Sequence, residues 1–534
     1  GLDDDGTLFI RHELAQKIDL ANIITRDEVF TRDFIIDVLK KEKKGKSPGL
    51  DEIRIEMILA LGDIGIDWLH LLFNKIWHEK RVPDDFLNLI LVPVPKKGDL
   101  KKCNNYRGIS LISIIAKSYA RILEAKLRAE VATLLEECQH GFMTGKGTDD
   151  CNFILRQIME KIIEFNQQLF ITFMDLEKAY DFVDRNQVWQ ALDELGVDRD
   201  LIDNIKALYR DSIATVRVGG ISAKPFRVTK GLRQGCPLSP LLFITVFNKV
   251  CRRIKLEKTG VPLSPNEWLI LLAFADDTAI MAMDRDSMQM LIDIFVQACT
   301  ELGLRINVPK TQFMVVNQVA GSIVEPFTIY GEKLEQVDVF PYLGSIMASD
   351  GTCKIDIRTR VEKADKAFGA MKKYIFKNGS IAVADKVKCY QGIIDPIKLF
   401  GSVSWPMSKA DNRQIDVSHM RHMRNIQGVT LRNRIKNDVI LARCGVEKNS
   451  TKIARNQLRW FGHVARMDSD RLTRRARDWQ PPSDWRRPRG RPKLRWVDGV
   501  RRHLGKVGIF STEEADALAQ NRNEWRAKIH SLRY

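Results

Sequence analysis

The chain has 534 residues, of which 44% are hydrophobic, and its formal net charge is +17. This length allows about three or four domains, and the hydrophobic fraction excludes a chain that is disordered throughout. Nine cysteines without close pairs exclude a disulfide framework and favour a reducing compartment. No apolar stretch reaches the length of a membrane span and no secretory signal is present, so we expect no membrane partner.

The positive charge is concentrated towards the C-terminus. Residues 451–510 contain 17 Lys or Arg and 5 Asp or Glu, so this segment holds +12 of the total of +17. Such a dense basic segment predicts a polyanionic partner, with nucleic acid as the first choice. The alternative is a basic surface that only keeps the protein in solution.

In chain order, the first part of the sequence is predicted to be mainly helical. Residues 1–45 look helical and charged, and a breaker at 47–49 separates them from further helix to about residue 80. A short strand is predicted at 87–95. Apolar residues then recur at helical spacing over 112–127.

The middle of the chain mixes strands and helices. Its predicted elements are a strand at 169–174, a helix near 186–195, a hairpin turn at 219–220, a helix from 240 to about 257, and a helix at 288–299 closed by Gly303. Beyond about residue 355 the pattern is mainly helical, and beyond 470 it becomes irregular and rich in Arg, Pro and Trp. This mixed order predicts an α+β fold.

Asp276 and Asp277 are the most informative pair of residues. They stand between the apolar runs 269–275 and 279–283, which predicts a β-hairpin with the acids at its turn. For the dipeptide alone, a solvated turn is the simpler interpretation. The strand at 169–174 also ends in an acid, Asp175, and three carboxylates at strand ends are what two-metal phosphoryl transfer requires. Adjacent carboxylates repel each other, and bound Mg²⁺ would supply the missing positive charge.

Five motifs, in order, resemble the catalytic motifs of reverse transcriptases in the form found in non-LTR (LINE-type) retrotransposons. They are FMDLEKAYD at 173–181, GLRQGCPLSP at 231–240, FADD at 274–277, GLRIN at 303–307 with Lys310 and Thr311, and YLGS at 342–345. One Asp-Asp pair is a weak signal, but the ordered set is a specific one.

Further segments extend the resemblance from about residue 45 to 505. Segments at 46–51, 95–98, 105–110 and 139–142 resemble the fingers of this group, and those at 399–405 and 459–464 resemble the C-terminal part of RTE-type elements. The implied fold is an α+β right-hand polymerase with a basic, mainly helical C-terminal domain. The expected domains are an N-terminal helical extension (1–45), fingers and palm (46–350), a helical thumb (351–440) and a basic nucleic-acid-binding domain (441–534).

The resemblance also implies a set of catalytic residues. Asp175, Asp276 and Asp277, with the backbone carbonyl of Leu176, would hold two Mg²⁺ ions, for which Mn²⁺ is an alternative. Lys310 would protonate the pyrophosphate leaving group as a general acid. A solvated surface lysine is the alternative interpretation of Lys310.

A nucleotide-binding set follows from the same resemblance. Tyr180 stands where the family has its steric gate against a ribose 2′-hydroxyl, and Gln234 and Gly235 stand where it contacts the incoming nucleotide and the template. Lys96 and Arg107 are candidates to clamp the triphosphate. Tyr180 could instead be a packed aromatic ring, Gly235 part of a plain turn, and Lys96 or Arg107 a solvated cation.

A third set concerns the primer. Tyr342, Leu343 and Gly344 lie in the motif that resembles the primer grip, so we expect them to contact nucleic acid. Asp181 and Asp184 follow the first motif closely, but we expect them to serve structure or solubility and do not include them in the site.

The basic C-terminal segment contains PRGRPK at 488–493, which resembles an AT-hook. Its candidate nucleic-acid-binding residues are Arg489, Arg491 and Lys493. Tryptophans at 479, 485 and 496 are interleaved with the arginines, a composition suited to stacking on single strands. The same segment could instead be folded, with its tryptophans buried and its arginines on RNA phosphates, and general nucleic-acid binding is favoured over a true AT-hook.

The implied activity is that of an RNA-directed DNA polymerase that copies element RNA into DNA from the 3′-hydroxyl of nicked target DNA. Its implied partners are template RNA, primer or target DNA, and dNTPs, in the nucleus with a cytoplasmic ribonucleoprotein stage. RTE-type elements carry an endonuclease upstream, for which this chain has no room, so we expect that domain to be missing here. Two alternatives stay open: a non-catalytic RNA-binding relic, and a different palm polymerase such as a group II intron maturase or an RNA-dependent RNA polymerase.

Overall fold

The computed structural model describes residues 28–96, 98–319, 321–490 and 493–532. These residues form two compact units. The first contains the chain up to Leu135, Lys178–Lys249 and Leu302–Leu304, and the second contains Glu136–Glu177, Val250–Glu301 and the chain from Arg305 onwards. Of the helical extension predicted at 1–45, residues 1–27 lie outside the described part of the chain.

Helices account for most of the regular structure in the described residues. They are α1 (Arg32–Lys40), α2 (Ile55–Ala60), α3 (Gly62–Glu79), α4 (Ile114–Val131), α5 (Thr148–Glu164), α6 (Ala179–Phe182), α7 (Arg185–Glu194), α8 (Arg199–Tyr209), α9 (Ser239–Lys255), α10 (Arg285–Glu301), α11 (Lys354–Met371), α12 (Val383–Cys389), α13 (Asp395–Leu399), α14 (Lys409–Ile426), α15 (Asn437–Cys444), α16 (Asn449–Ala465), α17 (Leu472–Asp478), α18 (Trp496–Lys506), α19 (Thr512–Gln520) and α20 (Arg522–His530).

The strands are short and lie mainly in two sheets. They are β1 (Asn88–Pro95), β2 (Tyr106–Leu111), β3 (Leu169–Met174), β4 (Ile213–Val218), β5 (Ile221–Ser222), β6 (Phe226–Arg227), β7 (Val261–Ser264), β8 (Glu267–Leu269), β9 (Leu271–Phe274), β10 (Asp277–Ala282), β11 (Gln312–Val316), β12 (Thr328–Ile329), β13 (Glu332–Lys333), β14 (Glu335–Gln336), β15 (Val339–Tyr342) and β16 (Ser345–Ala348).

The first unit is built on a sheet with the strand order β2-β1-β4-β5, in which β6 also pairs with β4. The hairpin predicted at Gly219 and Gly220 joins β4 to β5, and both glycines have positive φ angles, of 56° and 85°. Two positive φ angles suit a two-residue hairpin turn, for which glycine is favoured. Helices α3, α4 and α8 pack together beside this sheet, where Phe73 and Tyr119 are fully buried.

The second unit is built on a sheet with the strand order β14-β11-β3-β10-β9. All six residues of the central strand β3 are buried, which explains why its sequence is a continuous apolar run and does not alternate. Helix α5 covers one face of this sheet, so that Ile154 and Ile158 join Leu169 and Phe173 in a shared core. Helix α10 packs against β10, and its predicted stripe, which includes Met288 and Phe295, is fully buried.

The C-terminal helices α16 and α18 to α20 form their own core within the second unit, whereas α17 packs into the sheet core through Leu472 and Ala476. Trp460, Trp496 and Trp525 lie in this core together with Phe153 of helix α5. Trp479 joins the sheet core and donates a hydrogen bond from Nε1 to the carbonyl oxygen of Pro262 at 2.9 Å. The prediction that these tryptophans stack on single strands is therefore wrong for the Trp479 and Trp496 rings, whose exposed fractions are 4% and 1%.

Most of the elements predicted for the middle of the chain are present, within a few residues of the predicted ends. The prediction of irregular structure beyond residue 470 is wrong for 472–478 and 496–530, which are mainly helical. Among the described residues, none of the helices combines the length and the apolar character that crossing a membrane would require. The domain boundaries expected at residues 45, 350 and 440 stay predictions.

Candidate active site

The predicted hairpin around Asp276 and Asp277 is present in the second unit. Strand β9 ends at Phe274 and β10 begins at Asp277, and these two residues pair with each other. Only Ala275 and Asp276 therefore form the loop, and Ala275 has a left-handed backbone conformation with a φ of 59°. Alanine is uncommon in that conformation, so the surrounding structure must hold the loop in place.

Asp175 directly follows β3, the neighbouring strand of the same sheet. The antiparallel pairing of β3 with β10 puts Met174 opposite Thr278. Asp175 is the next residue after Met174 and therefore lies beside Asp277. This register brings the acidic residues of the first and third motifs to one end of the sheet.

The carboxylates influence one another and a nearby lysine. Protein atoms around Asp277 raise the pKa of its carboxyl to about 6, although the side chain reaches solvent, and the charges of Asp276 and Asp175 add to the rise. The ammonium group of Lys310 opposes it. Lys310 Nζ also lies 3.5 Å from Asp175 Oδ2, so it belongs to the same charged cluster.

The segment that resembles the fourth motif forms hydrogen bonds with the backbone of Asp175 and Glu177. The amide nitrogen of Asn307 donates to the carbonyl oxygen of Asp175 at 2.8 Å, and the amide nitrogen of Glu177 donates to Arg305. Thr311 Oγ1 accepts from the amide nitrogen of Asp175 at 3.3 Å. The carbonyl oxygen of Asp175 accepts one of these hydrogen bonds. The carbonyl oxygen of Leu176, a predicted metal ligand, takes part in none of the three.

The donor set of this cluster suits a hard divalent cation. Within the described residues, Asp175 Oδ2 is buried and has no hydrogen-bond partner, and it lies at a cavity of about 390 Å³ that Asp277 and Lys310 also line. Lys310 Nζ, 3.5 Å away, is a positive neighbour of this oxygen but not a hydrogen-bond partner, so a bound cation would complete its environment. In the described part of the chain, however, no three His, Cys, Asp or Glu side chains lie at the spacing that would ligate one metal ion.

Gln139 is a functional candidate that our sequence analysis did not identify. Its side chain is buried, and its Oε1 atom accepts hydrogen bonds from the amide nitrogens of Ala275 at 3.0 Å and Gly141 at 2.8 Å. Gln139 therefore holds the loop that carries Asp276. The one signal for this contact in the sequence is the resemblance of 139–142 to the family pattern, because the two partners are far apart along the chain.

The predicted nucleotide-binding residues Tyr180, Gln234 and Gly235 lie in the first unit. The ring of Tyr180 stacks on Phe243, with ring centroids 5.1 Å apart, so part of its surface is used in packing. The motif at 231–240 contacts this region through Gly231, where a Cβ atom would lie 2.6 Å from the carbonyl oxygen of Tyr180. Glycine is therefore required at 231 to let the two motifs pack this closely.

Asp181 interacts with several of the predicted nucleotide-binding residues, although our sequence analysis did not include it in the site. Gln234 Nε2 donates to Asp181 Oδ1 at 3.2 Å. Burial raises the pKa of the Asp181 carboxyl, and the positive charges of Lys178, Lys96 and Arg107 partly oppose the rise. Lys96 and Arg107, both exposed, thus act electrostatically on the same carboxylate that binds Gln234.

The hairpin of β15 and β16 carries the residues expected to contact the primer. The ring of Tyr342 is largely buried, with 3% of its surface exposed, but the residue lines the same cavity as Asp175 and Asp277. The expected contact of Tyr342 with nucleic acid stays a prediction. Leu343 and Gly344 form the turn that the hairpin presents.

The C-terminal arginines fall into two kinds. Arg487 and Arg495 pair with buried Glu164 at 2.8 and 3.0 Å and therefore anchor the segment to helix α5. Arg489 and Lys493, two of the predicted nucleic-acid-binding residues, are exposed. The third, Arg491, lies outside the described residues.

Comparison with known proteins finds a family match for the central segment. Residues 94–347 match the family described as reverse transcriptase (RNA-dependent DNA polymerase). The chain is 28% identical over 279 residues to a putative uncharacterized transposon-derived protein of Caenorhabditis elegans, an alignment that covers 48% of this chain and 94% of that protein.

Two larger transposon proteins are also similar. The Pol polyprotein of the type-1 retrotransposable element R2 from Nasonia vitripennis is 27% identical over 295 residues, which cover 54% of this chain and 28% of that protein. The 149 kDa protein of transposon TX1 from Xenopus laevis is 25% identical over 328 residues, which cover 60% of this chain and 24% of that protein. The chain thus spans only about a quarter of the length of these two relatives.

The predicted resemblance to reverse transcriptases of non-LTR retrotransposons is confirmed by these matches. The predicted α+β polymerase fold is confirmed by the same family match and by the sheets and helices of the two units. The relatives do not separate the RTE type from other non-LTR types, so that finer assignment stays a prediction.

Proposed function

We propose that this chain, in which residues 94–347 form a reverse transcriptase domain, is the RNA-directed DNA polymerase of a non-LTR retrotransposon. In this proposal it copies element RNA into DNA by extending the 3′-hydroxyl of nicked target DNA. It acts in the nucleus after a cytoplasmic ribonucleoprotein stage. The observation that supports the proposal most is the register of β3 and β10, because it sets Asp175 beside Asp277.

The carboxylates of Asp175, Asp276 and Asp277, with the carbonyl of Leu176, would hold two Mg²⁺ ions, or Mn²⁺, that supply charge neutralisation for phosphoryl transfer. The raised pKa of Asp277 is due first to partial burial and then to the charges of Asp276 and Asp175, and it supports this role because a carboxylate whose charged form is destabilised gains most from a bound cation.

Lys310 acts on the leaving group in this proposal. Its ammonium group lies 3.5 Å from Asp175 Oδ2, so it is already held at the carboxylate cluster. A lysine in that place can neutralise the charge that develops on pyrophosphate and give it a proton. The side chain of Lys310 is 69% exposed, so the alternative of a solvated lysine stays open.

The incoming nucleotide is bound by residues of the first unit in this proposal. Lys96 and Arg107 neutralise its phosphates, and Gln234 and Gly235 contact the base pair. Tyr180 excludes a ribose 2′-hydroxyl, and its stacking on Phe243 supports that role because a ring held on one face cannot swing away from a clash. The preference for dNTPs over rNTPs would follow from this steric contact.

The decisive test is primer extension with purified protein, an RNA template, a DNA primer and either dNTPs or rNTPs. We expect extension with dNTPs only, and loss of at least about a hundredfold in Asp276→Asn, because a metal ligand is removed. Asp286→Asn is the matched control, since that carboxylate is 95% exposed on helix α10. Equal activity of Asp276→Asn and Asp286→Asn would contradict the assigned site.

The remaining alternatives are distinguished by the same assay. RNA binding in a gel shift, without extension in Mg²⁺ or Mn²⁺, would favour the non-catalytic relic. Extension with rNTPs would favour an RNA-dependent RNA polymerase. Use of target DNA is tested by replacing the primer with a nicked duplex, in which we expect the 3′-hydroxyl at the nick to be extended along the RNA.

A further inference from the structure

The turn of the β15–β16 hairpin is a strained element that faces the catalytic cavity. Leu343 has a φ of 46° and Gly344 a φ of 82°, both in the left-handed region. Glycine tolerates this conformation but leucine does so rarely, so the turn persists only if its surroundings over-determine it. Leu343 lines the same cavity of about 390 Å³ as Asp175 and Asp277.

Two residues that follow helix α13 lie directly against this turn. A Cβ atom at Gly344 would lie 3.2 Å from Phe400 Cε1, so the Phe400 ring packs on the turn itself. At Gly401, whose φ is 74°, a Cβ atom would lie 2.5 Å from Ser345 Oγ. A side chain at 401 would therefore have to displace the buried hydroxyl of Ser345, the first residue of β16.

A buried carboxylate, Asp356 of helix α11, ties the hairpin to the same segment. Asp356 Oδ2 accepts from Arg156 Nη2 at 2.8 Å and from Trp405 Nε1 at 2.9 Å. Arg156 Nη2 also donates to the carbonyl oxygen of Ile346 in β16 at 3.0 Å. The carboxylate is 1% exposed, so each of these bonds is made away from water.

Arg360 makes the contact with the turn. Its guanidinium donates to the carbonyl oxygen of Gly344, lies 3.8 Å from Asp356 Oδ1, and stacks 4.3 Å from the centroid of the Phe400 ring. An arginine held by a carboxylate and a ring has little freedom left, so it fixes the carbonyl that it binds.

We propose that Asp356, Arg360, Phe400, Gly401 and Trp405 form a hairpin platform that positions the primer 3′ end against the catalytic carboxylates. The platform explains the sequence LFGSVSW at 399–405, which the assigned site does not use. These are positioning residues, since they act through the turn at Leu343 and Gly344. The inference rests on the proposed polymerase function.

The direct test is Gly401→Ala, with Gly428→Ala as its matched control. Both glycines have a similar positive φ, of 74° and 69°, but a Cβ atom at 428 would meet nothing within 4 Å. The two variants therefore share the backbone strain, and only Gly401→Ala displaces the Ser345 hydroxyl of the hairpin. A difference between them measures the contact with Ser345 and not the loss of a glycine.

Three quantities are measured: the rate of the first nucleotide addition per titrated active enzyme, the Kd for the primer–template, and hydrogen exchange of the peptide 339–348. For Gly401→Ala we expect a rate lower by about tenfold or more, because small misplacements of reacting groups reduce rates steeply. We expect the Kd to change by less than about threefold, and exchange in the hairpin to become faster. Gly428→Ala should leave all three unchanged.

A second pair of variants covers the case in which Gly401→Ala folds poorly. Arg360→Met removes the contact with the Gly344 carbonyl, while Arg358→Met, on the same helix, removes an exposed arginine that pairs with Glu362 at 3.0 Å. A normal rate per active enzyme in Arg360→Met, with faster hairpin exchange, would overturn the positioning role. Absence of extension in the unchanged protein would overturn the proposed function, and hairpin exchange would still decide whether the platform holds the turn.

Discussion

A Cβ atom at Gly141 would lie 2.2 Å from the amide nitrogen of Ala275. The backbone of 139–142 therefore passes so close to the loop before Asp276 that no residue other than glycine fits without movement. This contact supplements the hydrogen bond from the Ala275 amide to Gln139. Together the two contacts account for a left-handed alanine at the turn of the hairpin that carries Asp276 and Asp277.

Gly141→Ala should disable the site without unfolding the protein. The added methyl group must push Ala275, and with it Asp276, away from the position that the sheet register sets. We expect primer extension to fall by at least about tenfold, because the carboxylate is misplaced. Gly147→Ala is the control, since the nearest atom to a Cβ there is Asp150 Oδ2 at 3.9 Å. Full activity in Gly141→Ala would show that the loop tolerates displacement.

The raised pKa of Asp277 predicts an effect of pH on stability in the metal-free protein. The folded protein holds this proton up to a pKa of about 6, above the ordinary value of 3.8. A raised pKa means that stability is fully present below pH 3.8 and is lost as the pH rises through 6. In EDTA, Asp277→Asn should therefore have a higher Tm than the unchanged protein at pH 8, and the same Tm at pH 4.

Metal ions should reverse this order. Mn²⁺ binds the charged carboxylate, so it should raise the Tm of the unchanged protein at pH 8 and have little effect on Asp277→Asn. Asp286→Asn, at an exposed carboxylate, should behave as the unchanged protein does throughout. A Tm of Asp277→Asn that stays at or below that of the unchanged protein at pH 8 would argue that Asp277 is not crowded by charge.

Local patterns in the sequence were sufficient to predict the β9–β10 hairpin and the neighbouring strand β3. Strand β3 is a continuous apolar run that ends at Asp175, and such a run predicts a buried strand with its acid at the edge of the sheet. The supports of the site were not predictable in the same way. Gln139 and Ala275, or Arg360 and Gly344, meet only through the tertiary fold, and no periodicity links them along the chain.

Residue type alone was also a poor guide to whether an aromatic side chain is exposed or buried. Trp479 and Trp496 lie among arginines in the sequence, a composition typical of nucleic-acid binding, but their rings are buried in two cores. Tyr342 of strand β15, in the motif that resembles the primer grip, packs its ring against Phe173 of the sheet. The burial of a side chain depends on packing between distant elements, which composition does not report.

Arg233 illustrates the same point within the second motif and leads to a prediction about stability. Although it lies next to Gln234, it is buried, and it donates to the carbonyl oxygens of Phe86 and Leu208 and to Ser212 Oγ. Arg233→Met would leave these acceptors unsatisfied in the interior. We expect the free energy of unfolding of the first unit to fall by about 2–4 kcal/mol.

The measurement is urea denaturation of Arg233→Met beside Arg227→Met. The side chain of Arg227 is 77% exposed and lies 3.8 Å from Asp211 Oδ1, an exposed pair that contributes less than about 1 kcal/mol. Similar midpoints for the two variants would show that Arg233 contributes no more than a surface arginine. The slope of the transition should not change, since both variants expose the same surface on unfolding.

The division of the C-terminal arginines predicts which of them bind RNA. Arg489 and Lys493 are exposed, whereas Arg475 forms a two-point ion pair with Glu267 that occupies its guanidinium. If both exposed cations contact phosphates, the double variant Arg489→Gln with Lys493→Gln should release about two fewer counterions from single-stranded RNA. The slope of log K against log[KCl], measured by fluorescence anisotropy, should then become shallower by about 1.4.

Arg475→Gln should lower the Tm and leave that slope unchanged, because its charge is balanced within the fold. An unchanged slope in the double variant would show that Arg489 and Lys493 do not contact the RNA phosphates.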